Sequence, residues 1–214
     1  MIINEKNMKI KITKLGSSVF FTEANKLDKF LIAHIAGQIK SLKEKGVDIV
    51  LVVSGSVAYG ANFVNFSKEN TKLKQVAAGI GQAYVVSIFR QIFATKQLQI
   101  AQVLLTKDLL SSTKKRQDIK DLLVNYLKMG IIPVINENDT IELNSFGGND
   151  FLATEVAILL KAEQLLILST MAGSTHGVGG GETKQQALAM LKKEKIKATI
   201  VDGKSQNIIL RSLF

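Results

Sequence analysis

The sequence predicts an α/β protein, a three-layer αβα sandwich around a mostly parallel central sheet. Three observations carry this. Short runs rich in Ile, Val and Leu alternate with longer segments of helical apolar spacing. Most of the runs are near-continuous rather than alternating, as strands buried on both faces require. A chain of 214 residues, 46% of them hydrophobic, is long enough to enclose one substantial core.

In chain order, the strands are expected over 9–14, 48–53, 99–105, 131–135, 164–168 and 197–201. Helices are expected over 26–45, 73–96, 114–129, 151–161 and 184–194. Lys40, Lys43 and Lys45 close the first helix, and Lys192, Lys193, Lys195 and Lys197 surround the end of the last. Basic side chains at these places suit the negative end of a helix dipole. Gly79 and Gly81 lie inside the second helical segment, where close helix packing is the expected reason for them. Pro133 is the only proline, and no repeat or composition break divides the chain, so 1–214 reads as a single domain.

Composition excludes several function classes. Without cysteine there are neither disulfides nor thiolate metal sites, and His34 and His176 are too few for a histidine-rich one. Residues 1–6 carry charge where a signal peptide needs a long apolar stretch. No uninterrupted apolar run reaches the roughly 18 residues that span a bilayer. The expectation is a cytoplasmic protein with no membrane partner. Its net charge of +10 invites an anionic ligand. The lysines are scattered, however, and the aromatic residues, 6% of the chain, do not interleave with them. That pattern is a solvated surface and not a nucleic-acid stripe.

Ligands of such sheets bind at the carboxyl ends of the strands, so the turns that follow them matter most. After the first strand comes Lys14-Leu15-Gly16-Ser17-Ser18, and after the second Ser54-Gly55-Ser56. The fourth is followed by Asn136-Glu137-Asn138-Asp139-Thr140, the fifth by Ser169-Thr170-Met171-Ala172-Gly173. A glycine cluster, Gly177-Val178-Gly179-Gly180-Gly181-Glu182-Thr183-Lys184, then leads into the last helix. Lysine, glycine and hydroxyls in the first turn make a phosphate cradle, although a strand-to-helix turn with a snorkelling lysine explains them equally well. The glycine cluster with Lys184 again suits a polyphosphate, but neither a Walker A spacing nor a dinucleotide fingerprint occurs. Asn136, Asn138 and Asp139, then Gly147-Gly148-Asn149-Asp150, offer amides and carboxylates at a loop; turn chemistry alone also selects these residue types. Two lysines from opposite halves of the chain, with an aspartate between them, would meet the needs of phosphoryl transfer.

The succession of these motifs resembles the glutamate 5-kinase family of the amino acid kinase superfamily. The resemblance runs through Lys14 to Ser18, Val53 to Val57, Lys74 to Gln82, Ala101 to Thr106, Ile135 to Thr140 and Phe146 to Asp150, and covers nearly the whole chain. It implies phosphorylation of the side-chain carboxylate of L-glutamate by ATP with Mg²⁺, the first step of proline synthesis. It further implies that Lys14 and Lys184 contact the phosphates and that Asp150 orients both lysines. Ser54, Asn136, Asp139 and Asn149 would bind glutamate, with Asp139 meeting its ammonium. The nucleotide would be held by Lys14, Gly16, Ser17, Ser169, Thr170, Val178, Gly179, Gly180, Gly181, Glu182, Thr183 and Lys184. A homo-oligomer, dimer or tetramer, built through helical faces and feedback inhibition by proline are implied too.

The chain departs from the family pattern in three places. Gly148 stands where an acidic residue is usual, and Ser169 to Thr175 lacks two aspartates and an aromatic residue. The family has a few dozen further residues before the glycine cluster, which here follows Gly173 almost at once. Many bacterial members also carry a C-terminal RNA-binding-like domain, for which no sequence is present here. Two further readings keep the fold and change its use. One is a non-catalytic relative that binds a ligand or a partner subunit; the other is a superfamily kinase acting on a different carboxylate.

Overall fold

The computed structural model describes residues 8–170 and 181–213. β1 (Lys9–Leu15) lies in the middle of a six-stranded sheet, between β2 (Val47–Val53) and β5 (Gln164–Ser169). β4 (Ile132–Glu137) pairs with β2 on one side and with β3 (Ile100–Leu105) on the other. β6 (Lys197–Asp202) completes the order β3-β4-β2-β1-β5-β6. Every pairing among the described residues is parallel, in line with the mostly parallel sheet the sequence predicts.

The apolar runs are continuous because successive residues feed two different cores. Leu15, Leu51, Val53, Leu166 and Leu168 face one side. They meet α1 (Ser17–Phe20), α2 (Lys29–Glu44), α4 (Thr71–Ala94) and α8 (Ile208–Leu213) there. Ile12, Val50, Val52, Leu165 and Ile167 face the other, against α5 (Thr113–Lys128), α6 (Asn149–Leu160) and α7 (Gly181–Lys193). Each such side chain stabilises the fold by about 1.5–3 kcal/mol when fully buried, which explains why both faces stay covered. The result is the αβα sandwich the sequence predicts.

Capping moves two helix starts from where periodicity places them. Asp28 accepts from the Leu31 N–H at 3.0 Å, so α2 begins at Lys29 rather than at residue 26. Asn70 does the same for Leu73 at 3.0 Å, so α4 starts two residues early. Three elements are absent from the sequence reading: α1, α8 and α3 (Ser56–Gly60). They span four to six residues, too few for a periodic apolar pattern to register. A 3-10 turn at Lys107–Leu110 follows β3. Tertiary hydrogen bonds hold α8: Gln38 Oε1 accepts from the Ile209 and Leu210 N–H groups at 2.9 and 3.2 Å, and Lys11 donates to the Leu213 carbonyl.

α3 and α4 touch backbone to backbone. A Cβ on Gly60 would lie 1.9 Å from the Ala77 carbonyl oxygen, and one on Gly81 would lie 1.9 Å from that of Ser56. Gly81 is thus a close-packing glycine, as its place in the sequence suggests. Gly79 is not: it faces the Thr140 side chain, with Oγ1 3.7 Å from a Cβ position. α4 is also long and apolar enough, by length and composition, to cross a membrane. It differs from the sequence expectation on that point, yet it lies on the sheet and buries Ala77, Ala78, Val85, Phe89 and Phe93.

Candidate active site

Four adjacent strands, in the order β4, β2, β1 and β5, end on one edge of the sheet, and the polar segments 14–18, 54–56, 136–140 and 169–170 lie on that edge. At its centre Lys14 Nζ sits 2.8 Å from Asp150 Oδ1, with side-chain exposures of 12% and 10%. A pair so little exposed contributes little net stability, because desolvation offsets the Coulomb attraction. Its use is to fix an ammonium group at the strand end. Asn149 and Asp150 open α6 rather than belonging to a loop, so the helix dipole supports the Asp150 carboxylate. The turn into α6 is made by Gly147 and Gly148, with φ of 80° and 121°. At ψ 156° the conformation of Gly148 is open essentially to glycine alone. The Asn149 Oδ1 atom is buried and has no hydrogen-bond partner among the described residues.

The β4 side carries a dense polar network. Asn136 is a buried residue of the strand itself, not of the following loop. Its Nδ2 donates to Gln82 Oε1 at 2.6 Å and to Ser56 Oγ at 3.4 Å, while its Oδ1 accepts from the Glu137 N–H at 2.9 Å. Ser56 Oγ in turn donates to Asp139 Oδ2 at 3.5 Å, and Asp139 Oδ1 accepts from the Asn144 N–H at 2.9 Å. Burial holds the Asp139 carboxyl above its ordinary pKa, against the opposing pull of these two bonds. Ser54 lies at the same end of β2, but its hydroxyl donates to the Leu15 carbonyl at 3.1 Å and ties β2 to β1.

Among the described residues the β1 and β5 side is sparser. The Gly16 N–H donates to the Leu168 carbonyl at 3.1 Å, and a Cβ on Gly16 would lie 3.5 Å from Lys14 Nζ. Any larger residue would fill the space in front of the ammonium, so this turn fits an approaching phosphate oxygen. Ser17 packs beside Gly55, and Thr170 Oγ1 donates to Ser18 Oγ at 3.1 Å. Ser169 ends β5, its carbonyl accepting from the Gly203 N–H at 3.0 Å. Val178, Gly179 and Gly180 lie outside the described residues. Gly181, Glu182, Thr183 and Lys184 form the first turn of α7, and their side chains lie outside the described residues. Among the described residues no group of three His, Asp or Glu could cage a metal ion. Mg²⁺ needs no such cage when it arrives on substrate phosphates, so ATP with Mg²⁺ fits an edge of this kind.

Sequence reading missed Ser56, Gln75, Gln82 and Glu137. Gln82 caps Asn136 from α4, and Gln75, seven residues earlier on the same helix, donates to the Thr140 and Ile141 carbonyls at 3.2 and 2.9 Å. The seven-residue spacing of these glutamines, two helical turns along one face of α4, is the signal that would have found them. Glu137 is 3% exposed and accepts from the Phe146 N–H at 3.0 Å.

The model of the family described as the amino acid kinase family matches residues 9–175. The chain belongs to the amino acid kinase family. It is 32% identical to a glutamate 5-kinase of Streptococcus suis, over 94% of this chain and 67% of that protein. Amino acid kinase relatives of this kind are longer: the chain spans about two thirds of the length of the first of them. The S. suis alignment runs to 239 positions, more than this chain's 214 residues, so the relative carries residues that this chain lacks. Among solved structures, an isopentenyl phosphate kinase superposes with a TM-score of 0.68 at 16% identity, covering 95% of both chains. A UMP kinase of Ureaplasma parvum gives 0.66 at 11% identity, covering 97% of both. At such identities these two show the fold alone.

Proposed function

We propose that this chain transfers the γ-phosphoryl group of ATP to the side-chain carboxylate of L-glutamate, giving L-glutamyl 5-phosphate for proline synthesis in the cytoplasm. The observation that carries this reading is the juxtaposition of a fixed ammonium, Lys14 on Asp150, with the preset polar pocket of Asn136, Ser56 and Asp139. The glutamate 5-kinase names among the relatives supply the acceptor. In this reading Asp139 meets the glutamate ammonium, while Asn136, Asn149 and the Ser54 turn meet its carboxylates. Lys14, joined by Lys184 from α7, neutralises charge on the transferring group, and Asp150 keeps the lysines in line. Gly16, Ser17, Ser169, Thr170 and the segment from Val178 to Lys184 hold the nucleotide. Mg²⁺ on the phosphates supplies further charge neutralisation. Chemistry of this kind rests on positioning and electrostatics, with no protein nucleophile.

The chain also associates with copies of itself in this reading, through α4. Tyr84 of α4 stacks on Phe63 and meets Tyr59 of α3 at a tilt, with centroids 5.1 and 5.5 Å away, and Phe63 and Tyr84 are about half exposed. Proline, which shares the α-carboxylate and amino nitrogen of glutamate, would act as a competing ligand of the same pocket.

Glutamate-dependent ADP release with Mg²⁺, and trapping of the product as a hydroxamate, test the reading. No turnover from a folded chain would sink it and leave a ligand-binding relative. One observation favours a different acceptor: Gly148 places no carboxylate beside the pocket. Faster turnover of aspartate or N-acetylglutamate than of glutamate would select that alternative.

A further inference from the structure

Glu137 has no catalytic task in the scheme above, yet among the described residues it is one of the most buried charged ones, at 3% exposure. Among the described residues no lysine, arginine or histidine forms an ion pair with it. The charges of Asp139 and Glu142 act against its ionisation, and burial, the larger cause, raises its pKa to about 7. A carboxyl in this position costs stability, so its use must lie in what it holds. It holds backbone: the Phe146 N–H donates to Oε2 at 3.0 Å, and the Gly148 amide nearby favours the charged carboxylate electrostatically.

Those two amides sit at a critical place. The segment 138–148 joins the strand bearing Asn136 to the helix bearing Asn149 and Asp150. It contains no helix or strand, and Asn144, Gly147 and Gly148 all take positive φ, at 56°, 80° and 121°. Backbone of this kind keeps its shape only when surrounding contacts over-determine it. At its outer side Gln75 holds the Thr140 and Ile141 carbonyls. At its inner side, where the chain turns into α6, the contact is Glu137.

We propose that Glu137 is the positioning residue of the acceptor pocket: by gripping the Phe146 amide, two residues before Gly148, it sets the separation between the Asn136 and Asp139 side and the Asn149 side. It touches no reacting atom. The kinetic part of this proposal rests on the reading of the chain as a glutamate kinase; the structural part does not.

The test compares Glu137→Leu, Glu137→Asp and Glu137→Gln in the full chain. Leucine removes both acceptor atoms, and aspartate withdraws the carboxylate by one methylene. Glutamine keeps one oxygen for the Phe146 N–H. Amide hydrogen exchange across 138–150 is expected to speed up about tenfold in the Leu and Asp variants, with the central strands unchanged. The KM for glutamate is expected to rise about tenfold in both, while kcat stays within about threefold, because Lys14 holds Asp150 independently. Glu137→Gln is expected to stay close to the parent in exchange and in KM. Unchanged exchange in 138–150 would overturn the proposal, as would a Gln variant as impaired as the Leu variant, or faster exchange with no change in KM. If the Leu variant fails to fold, the Asp variant decides. If the parent chain does not turn over glutamate, the functional reading falls, and the exchange measurement alone decides the role of Glu137.

Discussion

The two halves of the candidate site are built on different principles. On the β4 side almost every polar atom is spoken for by protein: Asn136 by Gln82 and Ser56, Asp139 by Ser56 and Asn144, Glu137 by the Phe146 amide. On the β1 side the described residues supply one ion pair, a glycine beside the Lys14 ammonium and a few hydroxyls. The difference matches what each ligand end requires. A small amino acid is told from its neighbours by the placement of a few hydrogen-bonding groups, which must be preset. A polyphosphate is recognised mainly by its charge, and a lysine held at the right place suffices to begin.

That contrast can be broken in order of effect. Lys14→Ala should reduce kcat by about a thousandfold or more, since it acts on charge that develops during transfer, and should also lower the melting temperature, since it leaves the buried Asp150 carboxylate without its partner. The Lys184→Ala and Asp150→Ala variants should reduce kcat likewise; near-normal turnover in Lys184→Ala would displace the nucleotide half from the start of α7. Gly81→Ala should cost about 3 kcal/mol or more in denaturant unfolding, because its Cβ would overlap the Ser56 carbonyl at 1.9 Å. If it folds, its damage should fall on glutamate binding, as Ser56 belongs to the acceptor half. Gly148→Asp, which restores the acid usual in the family, should destabilise the chain by about 1–3 kcal/mol, since φ 121° and ψ 156° exclude a side chain without strain. A stable variant with improved glutamate affinity would show that the turn rearranges freely.

Asn136→Ala and Gln82→Ala should each raise the glutamate KM by about tenfold and leave the ATP KM alone. Equal effects on both substrates would blur the division into halves. The smallest effect is one of pH. Glu137 has a folded pKa of about 7, raised from 4.5, so the folded state binds its proton more tightly than the unfolded state. Its contribution is therefore most favourable below pH 4.5 and is lost as pH rises through 7. Between pH 6 and 8 the loss is on the order of 1 kcal/mol, and Glu137→Gln should flatten that slope in paired denaturation curves.

The fold was legible because it follows from local pattern. Each buried strand needs its own run of Ile, Val and Leu, and each covering helix its own stripe, so the elements announce themselves one at a time. Their ends were less legible. Asn136 joined a strand and Asn149 a helix because the register with β3 and the turn at Gly148 carried regular structure one or two residues further than composition indicates. Individual site residues followed the same rule. Lys14 and Asp150 come from motifs that stand out in sequence, but the hydroxyl of Ser54 was drawn to the Leu15 carbonyl while that of Ser56 took the place beside Asn136 and Asp139.

By itself, then, the sequence determined an all-covered α/β sheet and the set of polar turns at one of its edges, for both are written in stretches of five to twenty neighbouring residues. Only the tertiary structure decided which polar atoms face each other across that edge. Gln82 reaches Asn136 across 54 positions, Ser56 reaches Asp139 across 83, and Lys14 meets Asp150 through the packing of β1 against α6. Such pairings depend on the crossing of α3 and α4 at two glycines and on the single turn at Gly148, which are geometric outcomes of the whole packed sheet. No local periodicity encodes them, because a hydrogen bond fixes two atoms in space and leaves the chain between them free to take any route.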